Sequence, residues 1–182
     1  MPLAQKLTLP YPLRMLFPEA PKVFAPHVGK LKRAWFTPTG HDFMHGELRG
    51  FEQSIATIVD LIKEEQKLGI PPQKIILVGF SQGGSLALLV ALREPLGGAA
   101  AVASFLRAEE IEQAARFTSP TLLMLHGAKD QIVPADLGFQ TTKGLQDKGL
   151  DVRWRLYPDL GHEMNEQWLE ALQAWLLDIL AS

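Results

Sequence analysis

A serine inside a glycine-rich pentapeptide is the strongest chemical signal in the sequence. Gly79-Phe80-Ser81-Gln82-Gly83 has the form Gly-x-Ser-x-Gly, with an aliphatic run, Lys74–Gly79, before it and an apolar helical pattern, Leu86–Leu92, after it. A serine between a strand and a helix lies in a tight turn that exposes its hydroxyl, and flanking glycines avoid backbone collisions there. We predict that Ser81 is a nucleophile for acyl transfer. The alternative is a glycine-rich turn in which Ser81 only caps the helix.

The helix that follows Ser81 offers a place for developing negative charge. Its first backbone N–H groups have no partner inside the helix, and the positive end of its dipole points the same way. An oxyanion formed next to Ser81 would be stabilised there. We therefore predict that the backbone N–H of Gln82 is an oxyanion donor.

Two later segments offer a base and an orienting carboxylate. Asp130 follows the aliphatic run Thr121–Leu125, and His162 follows Val152–Tyr157. The carboxyl ends of parallel strands meet at one edge of a sheet, and the order Ser, Asp, His is typical of hydrolases with this architecture. We predict that His162 is the general base and that Asp130 orients it.

Other interpretations of these residues remain open at the level of sequence. Asp130 could cap the helix that follows it, and His162 could be a surface residue near the last helix. His126 is a rival base, which we interpret as structural. Asp159 and Glu163 are rival carboxylates, but they are too close to His162 in sequence to reach its far ring nitrogen.

No pattern in the sequence indicates a metal or a cofactor. His27, His41 and His45 lie in a stretch rich in proline and glycine, without the spacing of a metal site, and we expect them to be exposed to solvent. Cysteine is absent, which excludes disulfides and thiolate ligands.

Short aliphatic runs alternate with helical patterns along the chain, which predicts an α/β fold with a mainly parallel sheet of about five strands. The expected strands are Leu13–Phe17, Lys74–Gly79, Ala99–Phe105, Thr121–Leu125 and Val152–Tyr157. The expected helices are Phe51 to Ile62 with a stop at Gly69, Leu86–Leu92, Glu109–Arg116, Ala135–Lys148 and Glu166–Leu180. The region from Glu19 to Gly46 has too many breakers for a continuous element.

Composition limits the class of protein. The 182 residues, 47% hydrophobic and 21% charged, predict one domain over residues 1–182 with no separate cap domain. Eighteen basic against twenty acidic residues give a net charge of -2, so we expect no nucleic-acid partner. No signal sequence and no run of membrane-spanning length is present, and we expect a cytoplasmic protein without integral membrane association.

The segments Gly79–Gly84, His126–Pro134 and Leu160–His162 together resemble the carboxylesterase, lysophospholipase and acyl-protein thioesterase family of α/β-hydrolases. Phe17–Pro21 and Ala34–Phe36 extend the resemblance toward the start of the chain. It implies a three-layer sandwich and a serine esterase that acts on carboxylic esters or thioesters without a cofactor. It also implies that Trp35 and Phe36 form part of an acyl pocket, with a plain core role as the alternative.

One feature of the family has no counterpart here. Its members begin with strands and a His-Gly-x-Gly type loop that gives a second oxyanion N–H, and nothing similar precedes Leu3. The strand concerned would lie between Leu13–Phe17 and Lys74–Gly79. We therefore expect an N-terminally truncated fold, with Met1 an internal methionine of a longer reading frame.

Two functions from different classes follow. The first is a serine esterase with a small ester or thioester substrate. The second is a catalytically weakened remnant that binds a partner or forms a homodimer through exposed sheet edges.

Overall fold

The structure is a computed structural model that describes residues 6–25, 30–38, 47–113 and 120–181. Its strands are β1 (Lys22–Ala25), β2 (Lys30–Arg33), β3 (Thr37–Pro38), β4 (Leu48–Arg49), β5 (Ile76–Phe80), β6 (Gly98–Val102), β7 (Thr121–Gly127) and β8 (Val152–Tyr157). Its helices are α1 (Phe51–Lys67), α2 (Gln82–Arg93), α3 (Ala108–Gln113), α4 (Ala135–Asp147) and α5 (Glu166–Leu180).

A parallel sheet with the order β5-β6-β7-β8 forms the centre of the fold. Each strand is joined to the next by a helix, as the alternating pattern predicts. All five residues of β6 are buried, and six of the seven in β7 are buried. Burial on both faces explains why these strands read as continuous apolar runs in the sequence.

Helices cover both faces of this sheet. Ala99, Ala101, Leu122 and Met124 pack into a cluster with residues of α1, α2 and α4. Their neighbours along the strands point to the other face, where they pack against α5, because successive side chains of a strand alternate. The expected three-layer α/β architecture is therefore confirmed.

The sheet has four strands instead of about five, because Leu13–Phe17 is not a strand. These residues form no ladder, and Leu13, Leu16 and Phe17 are exposed. Arg14 ties the segment to α1 through an ion pair of 2.8 Å with Glu65. A strand needs a hydrogen-bonded neighbour, and a groove of about 690 Å³ lies between this segment and β5.

The outer edge of β5 faces that groove. Ile75 accepts a hydrogen bond from Gly97, and Ser81 donates one to Val102, so alternate residues of β5 direct their backbone toward β6. The backbone groups of Ile76, Val78 and Phe80 therefore point to the open side, and the Val78 side chain is 46% exposed. This is where the family resemblance places a central strand, and the described residues contain no strand there.

The region expected to be irregular contains one short antiparallel ribbon and one strand of a second in its described parts. β1 pairs with β2, with Phe24 opposite Leu31, and β3 pairs with β4. Two described prolines of this region occupy positions that strands tolerate, since Pro21 precedes β1 and Pro38 ends β3.

The helix boundaries largely follow their stop signals. Gly69, with φ 90°, follows α1, and Gly149, with φ 84°, follows α4. α3 ends at Gln113, and the rest of its expected range lies outside the described residues. No helix in the described ranges is long and apolar enough to cross a membrane.

The different burial of two leucines gives a test of the strand assignment. Leu122→Ala, at a fully buried position of β7, should lower the free energy of unfolding by about 2–5 kcal/mol. Leu13→Ala, which is 42% exposed, should change it by no more than about 0.5 kcal/mol. Urea unfolding of both variants measures this, and equal losses would contradict the assignment.

Candidate active site

The turn from β5 into α2 holds Ser81 in an unusual backbone conformation. Its φ is 52° and its ψ is -124°, in a region that residues with a Cβ rarely adopt. The turn is also tight, because a Cβ on Gly79 would lie 2.0 Å from the Gly83 carbonyl oxygen. Glycine at position 79 is therefore required by packing, as the motif predicts.

Hydrogen bonds hold this turn against the sheet. The Ser81 N–H donates to the Val102 carbonyl over 2.8 Å, and the Ser104 hydroxyl lies 2.6 Å from the Ser81 carbonyl oxygen. Ser104 is 1% exposed and follows β6 at the same sheet edge. Sequence reasoning missed Ser104, and its one available signal is a polar residue directly after a buried strand.

Gln82 is the first residue of α2. Its backbone N–H has no hydrogen-bond partner among the described residues, as expected for the first turn of a helix. The predicted oxyanion donor is thus free to bind a ligand next to Ser81.

Asp130 uses its two carboxylate oxygens for different partners. Oδ1 accepts the N–H groups of Ile132 at 2.9 Å and Val133 at 2.8 Å, while Oδ2 lies 2.8 Å from Nδ1 of His162. α4 begins after Pro134 without a side-chain cap, so Asp130 does not have the helix-capping role that the sequence left open.

The same contacts keep Asp130 ionised. Burial raises the pKa of this carboxyl, but the Val133 N–H, the bond with His162 and the Ile132 N–H together outweigh burial and lower the pKa below its usual value. Asp130 is therefore a carboxylate at neutral pH, which is the form that can orient and stabilise a protonated imidazole.

Close packing of two loops brings Asp130 to His162. Lys129 donates its N–H to the Leu160 carbonyl over 2.8 Å, and Ala128 donates to the Tyr157 carbonyl over 2.8 Å. A Cβ on Gly127 would lie 2.3 Å from the Leu160 carbonyl oxygen, so glycine is needed at the point where the loops meet.

His162 also lies beside the serine turn. Its ring centroid is 4.7 Å from that of Phe80, the residue before Ser81. The side chain of His162 is 17% exposed, which leaves it accessible to a ligand. Among the described contacts His162 and the Ser81 hydroxyl are not hydrogen-bonded, and such bonds are often longer before a substrate is present.

The rival residues have other roles. His126 is fully buried, with Nε2 2.9 Å from the Val133 carbonyl oxygen and 3.5 Å from Oδ2 of Asp130. Burial lowers the pKa of His126, so this imidazole is neutral and supports the Asp130 loop. Asp159 pairs with Lys129 at 2.8 Å, and Glu163 is exposed.

Trp35 and Phe36 lie on the α2 side of the turn. Trp35 is half-buried and lines the groove together with Gly79 and Gly83. Phe36 is 7% exposed and packs edge to face against Phe51, with ring centroids 4.7 Å apart. Phe36 is therefore a core residue. Trp35, next to it in the chain, forms the surface that faces the groove, which we call the Trp35 wall.

The described residues contain no group of three or more histidines and carboxylates that could hold a metal ion. His27, His41 and His45 lie outside these residues, and their expected exposure is not described.

Comparison with known proteins connects this arrangement to enzymes. The sequence profile of a family described as phospholipase/carboxylesterase matches residues 4–179. Acyl-protein thioesterase 1 of Gibberella zeae is 30% identical over 178 residues, which cover 90% of this chain and 76% of that protein. Lysophospholipase-like protein 1 of Mus musculus is 30% identical over 184 residues, which cover 96% and 76%.

Solved structures show the same fold. The crystal structure of Arabidopsis thaliana SOBER1 has a TM-score of 0.80 and 25% identity, covering 91% of this chain and 83% of that one. The crystal structure of esterase PE8 has a TM-score of 0.76 and 28% identity, covering 89% and 76%.

The buried His126 should make stability depend on pH. Because the folded protein keeps this imidazole neutral, the unfolded chain binds more protons below the ordinary histidine pKa of about 6.5. The free energy of unfolding should therefore be constant above about pH 7 and fall as the pH is lowered through 6.5.

Urea unfolding between pH 5 and pH 8 measures this effect. His126→Gln retains a donor for the Val133 carbonyl but cannot titrate, so its unfolding free energy should fall less steeply with decreasing pH. Asp130 and His162 face the same ring and stay unchanged in the variant. An identical slope for both proteins would contradict the assignment.

Proposed function

The chain belongs to the phospholipase/carboxylesterase family of hydrolases, and from that premise we propose that it cleaves carboxylic ester or thioester bonds through Ser81, His162 and Asp130. One observation carries the proposal: the 2.8 Å pair of His162 and Asp130 lies against Phe80, next to the strained Ser81 turn. Nucleophilic acyl transfer needs a nucleophile, a base that activates it and a group that orients the base, and these are the roles of Ser81, His162 and Asp130 in this proposal.

The proposed reaction has two halves. Ser81 Oγ attacks the acyl carbonyl while His162 takes its proton, and Asp130 stabilises the resulting imidazolium. His162 then gives the proton to the departing alcohol or thiol. Water, activated by His162 in the same way, releases the acid and restores Ser81.

The negatively charged oxygen of the tetrahedral intermediate would lie next to the start of α2. The free N–H of Gln82 is the donor that the described residues offer for it. Each oxyanion donor typically contributes about 10²–10³ in rate. We infer that turnover depends strongly on this group and on any second donor that a neighbouring segment provides.

The residues that line the groove and the names of the related proteins support a substrate with an acyl chain. Trp35 presents an apolar wall close to the serine turn, with Phe36 behind it, and we assign the wall to the acyl chain. Relatives named acyl-protein thioesterase and lysophospholipase-like protein support an acyl ester or thioester. The described residues between Ser81 and His162 contain no inserted cap domain, and we propose that the site takes small or surface-presented acyl groups. We place the protein in the cytoplasm, in keeping with its lack of cysteine.

A second candidate function is supported by the open edge of β5. No described strand pairs with the outer edge of β5, so the backbone groups of Ile76, Val78 and Phe80 are a template for another strand. A weakly active binding protein or a homodimer joined at this edge would use them. Such a protein would show concentration-dependent mass in solution and ester hydrolysis that does not depend on Ser81.

The roles of the three residues predict the behaviour of single variants with a p-nitrophenyl butyrate substrate. Ser81→Ala and His162→Gln should lower kcat by about 10⁴-fold or more. Asp130→Asn should lower kcat by about 10⁴-fold, because the amide would favour the wrong imidazole tautomer. Initial rates above a buffer control measure these losses.

Asp159→Asn is the matched control for Asp130→Asn. Asp159 is also an aspartate on these two loops, but it is exposed and bound to Lys129. Its variant should keep kcat within about twofold of the wild type. Hydrolysis that survives in Ser81→Ala, or equal losses in the two aspartate variants, would refute the proposed mechanism.

A further inference from the structure

The side chain of Gln82 joins the start of α2 to a distant segment of the chain. Its Oε1 accepts the N–H of Trp35 at 3.2 Å, and its Nε2 donates to the carbonyl of Phe36 at 3.1 Å. An N–H must face the oxygen of the amide and a carbonyl must face its NH₂ group, so the two partners fix its orientation. Gln82 thus acts as a two-point clamp on this segment.

A second side chain holds the same segment from α1. Ser54 is 1% exposed, and its hydroxyl donates to the Trp35 carbonyl over 2.5 Å. Trp35 and Phe36 lie between β2 and β3, where no ladder satisfies these backbone groups. Side-chain hydrogen bonds from Gln82 and Ser54 take the place of ladder bonds there.

The segment that Gln82 holds carries the Trp35 indole. A Cβ on Gly83 would be 3.6 Å from Nε1 of Trp35, so the indole stands over the residue two positions after Ser81. Trp35 lines the groove with Gly79 and Phe80, which precede Ser81. The Trp35 indole therefore contacts the turn on the α2 side of Ser81 and lines the same groove as the residues before Ser81.

We propose that the Gln82 side chain is a positioning residue that holds the Trp35 wall at the serine turn and thereby sets the acyl-chain preference of the enzyme. This inference rests on the function proposed above. It gives Gln82 two separate tasks, one for its backbone N–H at the oxyanion and one for its side chain at the acyl group.

The two tasks can be separated by substitution. Gln82→Met retains the backbone N–H and a side chain of similar length, but it cannot hydrogen-bond to Trp35 or Phe36. Two part-buried backbone groups then lose their partners, and the wall is no longer held in one position. Binding of the acyl chain should suffer while the oxyanion donor stays in place.

The experiment measures kcat and KM for p-nitrophenyl esters from acetate to octanoate. Burial of each methylene is worth about 0.8 kcal/mol, or about fourfold in kcat/KM, so a fixed wall predicts a rise with chain length up to that slope. Gln82→Met should flatten the slope and lower kcat/KM for octanoate by about tenfold or more, mainly through KM.

Double variants connect the effect to Trp35. Trp35→Ala should flatten the chain-length slope by itself, and Gln82→Met in that background should add nothing further. Ser54→Ala removes the tether from α1 and should give a smaller loss in the same direction, which provides the test if Gln82→Met does not fold.

Gln146→Met is the matched control. Gln146 also donates its Nε2 to a backbone carbonyl, that of Val152 at 2.9 Å, but it lies on α4 away from the serine turn. Its variant should lose stability without changing the chain-length slope.

The outcomes separate this inference from the proposed function. A wild-type protein that cleaves none of the esters overturns both. An active wild type overturns the inference alone if Gln82→Met keeps the wild-type slope, if Gln146→Met flattens the slope equally, or if the effects of Gln82→Met and Trp35→Ala add.

Discussion

The close approach of Gly79 to the Gly83 carbonyl is the contact on which the site depends. It leaves no room for a Cβ at position 79, and it forces the chain to reverse from β5 into α2 over a single strained residue, Ser81. Because the Ser81 N–H is bonded to β6 and its carbonyl faces Ser104, the sheet carries that strain. The serine hydroxyl and the free N–H of Gln82 are thereby presented side by side at the carboxyl edge of the sheet.

The other half of the site is built by the parallel strands at the opposite side of the sheet. β7 and β8 end in loops that are hydrogen-bonded to each other, and these loops join Asp130 to His162. The open edge of β5 lies on the other side of the serine turn, where Gln82 ties Trp35 to α2. The side of the site that holds Asp130 and His162 is therefore supported by the sheet ladder, whereas the side that holds Trp35 depends on a few side-chain hydrogen bonds.

Sequence patterns predict the elements in which burial is periodic. They do not predict contacts that depend on a single polar side chain. Val152–Tyr157 and Glu166–Leu180 have the predicted boundaries. In Glu166–Leu180 the apolar spacing reflects a face that is buried against the sheet. Leu13–Phe17 has a strand-like composition but pairs with no described strand, and composition alone does not show whether a segment has a partner to pair with. The clamp of Gln82 and the support from Ser104 are long-range contacts of lone polar residues, for which no periodicity exists.

Labelling with a fluorophosphonate probe, followed by peptide mapping, tests the central claim most directly, because such probes react only with a serine that a nearby base activates. The account predicts one adduct per folded chain, on the peptide that contains Ser81, and none on acid-unfolded protein. An unlabelled folded protein, or an adduct on a different serine, would contradict it.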